Sequence, residues 1–169
     1  MSALSVAQER CPFLAQAATP REPRFDFPQA SPAWRTTGEV ARHAAMVRVY
    51  ERTGGLARSD EVLFMLRKRT SQPLSMLARW IVDQRVVSFE WQAQRFVPVF
   101  QFDLSDMTIQ PGTTAVLAEL AGTFDDWEIA AWFAEPSTWL QGRPPVDVLA
   151  FDSTAVLDAA RADRFVAHG

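Results

Sequence analysis

The chain has one cysteine, Cys11, among 169 residues. A lone thiol cannot close an intramolecular disulfide or supply a cysteine-based zinc site. A chain without a disulfide framework reads as cytoplasmic. Histidine is almost as scarce, with only His43 and His168. The first lies inside an amphipathic stretch and the second is penultimate, and neither adjoins a nucleophile motif such as G-x-S-x-G. Neither G-x-G-x-x-G nor G-x-x-x-x-G-K-[ST] occurs. The adjacent carboxylates Asp125 and Asp126 suit the first turn of a helix, as do Asp147 and Asp152. The expectation is a protein that is not an enzyme and holds no metal and no cofactor. No apolar run reaches the roughly 18 residues that cross a bilayer, so no membrane association is expected. The first residues lack a basic segment followed by an apolar run, so no secretory signal is expected either.

What is present suits a globular chain: 48% apolar residues, 22% charged residues, six Trp and twelve Phe. Such a chain can bury a real core, much of it aromatic. The net charge of −3 is unevenly spread. Residues 1–34 are neutral, with three Arg and three acids. Residues 35–102 carry eleven cations and six acids, giving +5. Residues 103–169 carry three cations and eleven acids, giving −8. Two readings follow: the basic segment sits near phosphates and the acidic one meets a basic partner, or the two segments attract each other.

Those boundaries also divide the expected structure. Residues 1–34 hold five of the eleven prolines, and "TPREPRFDFPQASPAW" fits neither a continuous helix nor a central strand. It reads as a partly disordered arm pinned by Phe25 and Phe27, with a short helix at best before it. Residues 35–102 read as helices and a hairpin. Thr36 and Glu39 have capping-box spacing. Val40, Met46, Val47 and Tyr50 are the expected buried stripe of a helix that stops at Gly54–Gly55. A second helix is expected with Ser59 as its cap and Val62, Leu63 and Leu66 inward. A third starts near Pro73 and buries Leu74, Leu77, Trp80 and Ile81. The period then changes to two. Val87, Phe89 and Trp91 alternate, then Phe96, Pro98, Phe100 and Phe102, with a turn at 92–94. That predicts a β-hairpin whose second strand Pro98 confines to an edge. Residues 103–169 read as helices starting near Pro111, Asp125, Pro145 and Asp152. The fold class expected is mainly α with one small β-hairpin.

The order helix, turn, helix, hairpin over 58–102 is the outline of a helix-turn-helix with a wing. Arg67, Lys68 and Arg69 fall at the turn, Ser71 and Gln72 lead into the third helix, and Arg79 lies within it. These are residue types that contact phosphates or base edges, which makes DNA a candidate partner. Two short helices and a hairpin are common, and a basic turn is usually a solvated face.

"AWFAEPSTWLQGRPPVDVL", Ala131 to Leu149, reads as a helix end, an irregular connection and a new helix start. Pro136 stops the first helix, Gly142 permits a backbone angle other residues resist, and Trp132 and Trp139 are expected to close the core over the connection. The succession Trp132, Pro136, Leu140 with Gly142, Pro145 with Leu149, and His168–Gly169 resembles the C-terminal toxin-binding domain of Xre/MbcA/ParS-type antitoxins. The match spans roughly residues 112–169. Upstream, "RFVPVFQFD" is similar to a Pro-x-Phe-Gln-Phe stretch that precedes this domain in a shorter branch. The segment before it is shorter here than a full Xre-type DNA-binding domain. The resemblance implies a helical bacterial protein that binds and neutralises a toxin, commonly a RES-type NAD-degrading one, by docking without chemistry. Carried onto this chain, the partner-binding residues would be Trp139, Gln141, Gly142, Arg143, Arg161, Arg164, His168 and Gly169. A second copy of the chain, as a homodimer, is a further candidate partner; the alternative functions are a DNA-binding regulator and an adaptor or scaffold, each without a toxin.

Overall fold

The computed structural model describes residues 37–169. The expected Pro-rich arm, its short preceding helix, Cys11, Phe25, Phe27 and the Thr36 cap lie outside the described residues. The elements are α1 (Thr37–Glu51), β1 (Leu56–Arg58), α2 (Ser59–Leu66), α3 (Pro73–Val82), β2 (Phe89–Trp91) and β3 (Gln94–Pro98). Then come β4 (Phe102–Asp103), β5 (Thr108–Ile109), α4 (Pro111–Leu120), α5 (Asp126–Ala134), α6 (Pro145–Leu149) and α7 (Ser153–His168). Single 3₁₀ turns occupy Val99–Gln101 and Thr138–Leu140. The chain is mainly helical with a small antiparallel sheet, as its periodicities lead one to expect.

Local chemistry sets most boundaries. Pro73, Pro111 and Pro145 each open a helix, where a missing N–H is harmless. Asp125 caps α5 in a reciprocal pair: Glu128 N–H donates to its carboxylate at 2.7 Å, and Asp125 N–H donates to Glu128 at 2.8 Å. Asp152 caps α7 by accepting from Ala155 N–H. Ser59 is not the cap of α2. It is the first helical residue, and its hydroxyl donates to the Arg95 carbonyl instead, while Arg58 N–H donates to Glu61.

Gly54 has φ +103°, and an added Cβ would stand 2.9 Å from Val99 Cγ1. Gly54→Ala therefore meets both a disfavoured backbone angle and a clash, and is expected to cost about 2 kcal/mol or more in a thermal melt.

The sheet corrects the hairpin reading. The strand order is β1–β3–β2, so the Pro98 strand is central and not an edge. Leu56 pairs with Pro98 on one side and Phe89 with Phe96 on the other. Pro98 is tolerated because it is the last residue of its strand, and the chain turns into a 3₁₀ step directly after it. Trp91 pairs with Gln94 across a two-residue turn in which Gln92 and Ala93 both have positive φ. The run through Phe102 is thus not one strand. Phe102 belongs to β4, which forms a second ladder with β5.

The apolar interior forms two clusters. One gathers α4–α7 with Met46 and Tyr50 of α1 and Phe89 and Trp91 of β2. The other joins α2 and α3 to β1, β3 and Met107. Val40 and Leu74, expected inside, are exposed. The face of α1 that meets the core runs through His43, Met46 and Tyr50, one step round from Val40. Tyr50 is fully buried, donates its O–H to the Ala130 carbonyl at 2.7 Å, and its phenol is pushed well above the usual range by desolvation.

Gln101 is the buried polar centre of the fold, with no exposed surface. It accepts from Val87 N–H at 2.6 Å and donates to the carbonyls of Val87 and Pro98 at 2.9 and 2.8 Å. The glutamine of "VPVFQF" thereby staples the segment entering the hairpin to the turn leaving it, satisfying backbone groups that no ladder reaches.

Candidate partner-binding surface and helix-turn-helix unit

Among the described residues four ion pairs cross between the basic and acidic segments: Arg42 with Glu135, Arg52 with Asp147 at 2.6 Å, Arg95 with Asp126 at 3.7 Å and Arg69 with Asp106 at 3.9 Å. The two segments do attract each other. Each pair is partly exposed and contributes about 0–1 kcal/mol.

The connection after α5 is tightly made. Ser137 N–H donates to Arg143 O, and the N–H groups of Leu140 and Gly142 both donate to Ser137 O. Gln141 and Gly142 adopt successive left-handed conformations, φ 59° and 78°. That double reversal explains the Gly at 142. It also leaves Gln141, Gly142 and Arg143 exposed at a rigid corner.

Trp139 does not close the core. It is 56% exposed, whereas Trp132 is half-buried. The two indoles share one acceptor: Trp132 Nε1–H donates to Asp163 Oδ2 at 2.7 Å and Trp139 Nε1–H to Asp163 Oδ1 at 2.8 Å. Asp163 of α7 thus ties the end of α5 and the following turn to the final helix, fixing a large, amphipathic and exposed ring. Asp163→Asn places an N–H₂ against one of those donors. It is expected to cost about 1 kcal/mol of stability and to change the near-ultraviolet circular dichroism of the tryptophans.

Arg161 and Arg164 both reach the half-buried Glu119 of α4, at 3.1 and 2.6 Å, and Arg161 also pairs with Asp158. Their charges are engaged within the chain. Arg143 lies 5.4 Å from the ring centre of Phe151. His168 Nδ1 lies 2.9 Å from the Arg164 carbonyl oxygen, and Gly169 ends the chain beside it.

Sequence reasoning missed three exposed apolar residues here: Phe151, Phe165 at 78% and Val166 at 67%. A signal existed. Val156, Ala159 and Ala160 mark the buried stripe of α7, and Phe165 falls on the opposite side of it, whereas Val166, seven residues after Ala159, continues the stripe but is exposed.

Of the two histidines, His168 lies on the exposed end of α7 and His43 lies among aromatic rings. His43 stacks on Trp91 at 4.1 Å and 3°, with Trp127, Phe89 and Phe96 around it. Among the described residues no group of three His, Cys, Asp or Glu is placed to hold a metal ion, and no helix is long and apolar enough to cross a membrane.

In the upstream unit Arg67, Lys68 and Arg69 follow α2, Ser71 and Gln72 precede α3, and Arg79 lies on it, all exposed. Arg69 Nη1 donates to the Asp106 carbonyl at 3.0 Å.

No protein-family model, no curated protein and no solved structure matches the chain.

Proposed function

We propose that the protein is an antitoxin-like inhibitor that binds a partner toxin through the corner at Trp139–Arg143 and the last two turns of α7. The observation that carries the reading is the combination of exposure and rigidity there. Trp139 is held by Asp163 yet faces solvent, and Phe165 and Val166 protrude from a helix whose earlier turns are firmly packed. Large exposed aromatic and aliphatic groups on a fixed scaffold are what interfaces use as anchors. The resemblance of residues 112–169 to the toxin-binding domain of Xre/MbcA/ParS-type antitoxins agrees with this placement.

Inhibition on this reading is steric. The α7 terminus covers the toxin's active-site mouth and the acidic C-terminal segment complements a basic, nucleotide-accepting cleft such as that of a RES-type NAD-degrading enzyme. Arg161 and Arg164, already paired with Glu119, orient the helix and contribute their alkyl stems. Arg143 and Gln141 supply the polar rim.

The test is co-expression of the full chain with the protein encoded beside it, followed by co-purification and a growth-rescue assay. Rescue and a stable complex are expected. Rescue that persists when the chain is cut before Arg161 contradicts the role of the tail. The cut is informative because it leaves Val156, Ala159 and Ala160 in the core. Cutting at residue 102 is not, since it removes Tyr50, Phe89 and Phe100 from the core that α4–α7 share.

A further inference from the structure

We infer that the groove walled by α2, the outer edge of β1 and Leu104 docks an extended segment of a protein partner, one that carries bulky apolar side chains beside lysine or arginine. This does not depend on the reading of α7 as a toxin-binding element. Three observations carry it.

The first is shape. Leu56, Ala57, Phe64, Met65, Val99 and Leu104 line an open hollow of about 560 Å³, a size that suits a binding cleft. Phe64 and Leu104 stand 67% and 62% exposed on its walls. A second hollow of about 260 Å³ shares Val99 and Leu104 with it and runs on to Phe102, Val146 and Leu149. Leu104 thus separates two adjoining apolar pits, and one passing chain can fill both with successive large side chains.

The second is a strand edge. In the order β1–β3–β2, β1 is outermost and its far side pairs with no strand among the described residues. Val99 N–H donates to the Gly55 carbonyl at 3.0 Å, and Ala57 lies opposite Val97. That phase turns the N–H and C=O of Leu56 away from β3. The next outward donor, Arg58 N–H, is taken by the Glu61 carboxylate at 2.6 Å. Leu56 also lines the hollow, so a chain lying there meets a backbone donor and acceptor. An extended segment can use both, whereas a helix has its backbone groups bonded within itself.

The third is charge. Asp60 and Glu61 line one end of the hollow, and Asp103 and Asp106 flank Leu104 at its wall. The Ser105 hydroxyl and N–H hold Asp103 below the usual carboxylate range, and those of Thr108 do the same for Asp106. Two cations face these four acids: Arg58 lies 3.5 Å from Asp60 and 4.0 Å from Glu61, and Arg69 lies 3.9 Å from Asp106. The rim therefore keeps a net negative charge. Arg67 and Lys68, which form no ion pair among the described residues, lie beyond Leu66 and do not line the hollow. Such a rim favours cations on the incoming segment and opposes acids.

The experiment pans the full chain against a displayed random heptapeptide library and titrates the enriched peptides by fluorescence anisotropy. Enriched sequences are expected to alternate bulky apolar residues with lysine or arginine, and to bind less well as salt rises. Glutamate in place of those cations should weaken a selected peptide at least about tenfold. Methylating its alternate backbone nitrogens, which removes donors to β1, should weaken it about fivefold. F64A and L104A should each weaken binding at least about fivefold, and D60N about threefold. The F165D/V166D tail variant should bind the peptide like the parent, which separates this outcome from that of the toxin reading. The proposal is overturned by no enrichment, by enrichment of acidic or wholly apolar sequences, or by F64A and L104A proteins that melt like the parent and still bind. A photo-cross-linking residue at position 64 tests the other occupants. Cross-links in the free chain to residues 1–36 or to a second copy overturn the proposal, and cross-links to the added peptide alone support it.

Discussion

Replacing Gln101 by leucine is expected to lower the melting temperature by roughly 10 °C. The substitution keeps volume and adds apolar surface, so a hydrophobicity argument alone predicts little change or a gain. The hydrogen bonds decide otherwise. Gln101 satisfies Val87 N–H, the Val87 carbonyl and the Pro98 carbonyl in a site with no exposed surface. Each buried group left without a partner costs about 1–3 kcal/mol, so even with relaxation the total is about 3 kcal/mol or more. The loss falls on the junction between both apolar clusters, because Val87 belongs to one and Val97 and Val99 to the other. Native-state amide exchange should show Val87 and its neighbours losing protection first. A Gln101→Leu protein that melts within about 2 °C of the parent would mean that these backbone groups find other partners.

The F165D/V166D double variant is expected to leave the melting temperature nearly unchanged and, on the proposed partner-binding reading, to weaken the complex at least about thirtyfold. Both side chains are mostly exposed, at 78% and 67%, so the folded chain loses few contacts. In a complex they become buried anchors, and a buried carboxylate without a cation is costly. Trp139→Ala should act in the same direction but also reduce stability slightly, since it removes one of the two donors to Asp163. Titration calorimetry beside a thermal melt separates the two effects. Equal loss of stability and affinity in F165D/V166D would show that the helix end is a structural element.

How much of this was legible in the sequence varies with the kind of signal. Helix starts at Pro73, Pro111, Pro145 and Asp125 were readable because proline and capping carboxylates act within one turn. Strand β1 was not, because three residues between Gly55 and an acidic helix start carry no alternation, and pairing with β3 alone makes them a strand. The edge role assigned to Pro98 failed for the same reason: its neighbours depend on β1. Trp139 looked like core by composition. Its exposure comes from the left-handed Gln141 and from Asp163, twenty-four residues later in the chain, accepting its N–H. Gln101 was visible only as a letter in a motif, since its partners lie at Val87 and Pro98 and are backbone groups. The charge asymmetry was legible in full, yet its division into paired and unpaired cations required the fold.

Amide hydrogen exchange on the co-purified complex, compared with the free chain, tests the central reading most directly. Protection is expected to rise in Trp139–Arg143 and Arg161–Gly169, with α2 and α3 unchanged. Protection confined to α2 and α3, or a neighbouring gene product that is never retained, would contradict it.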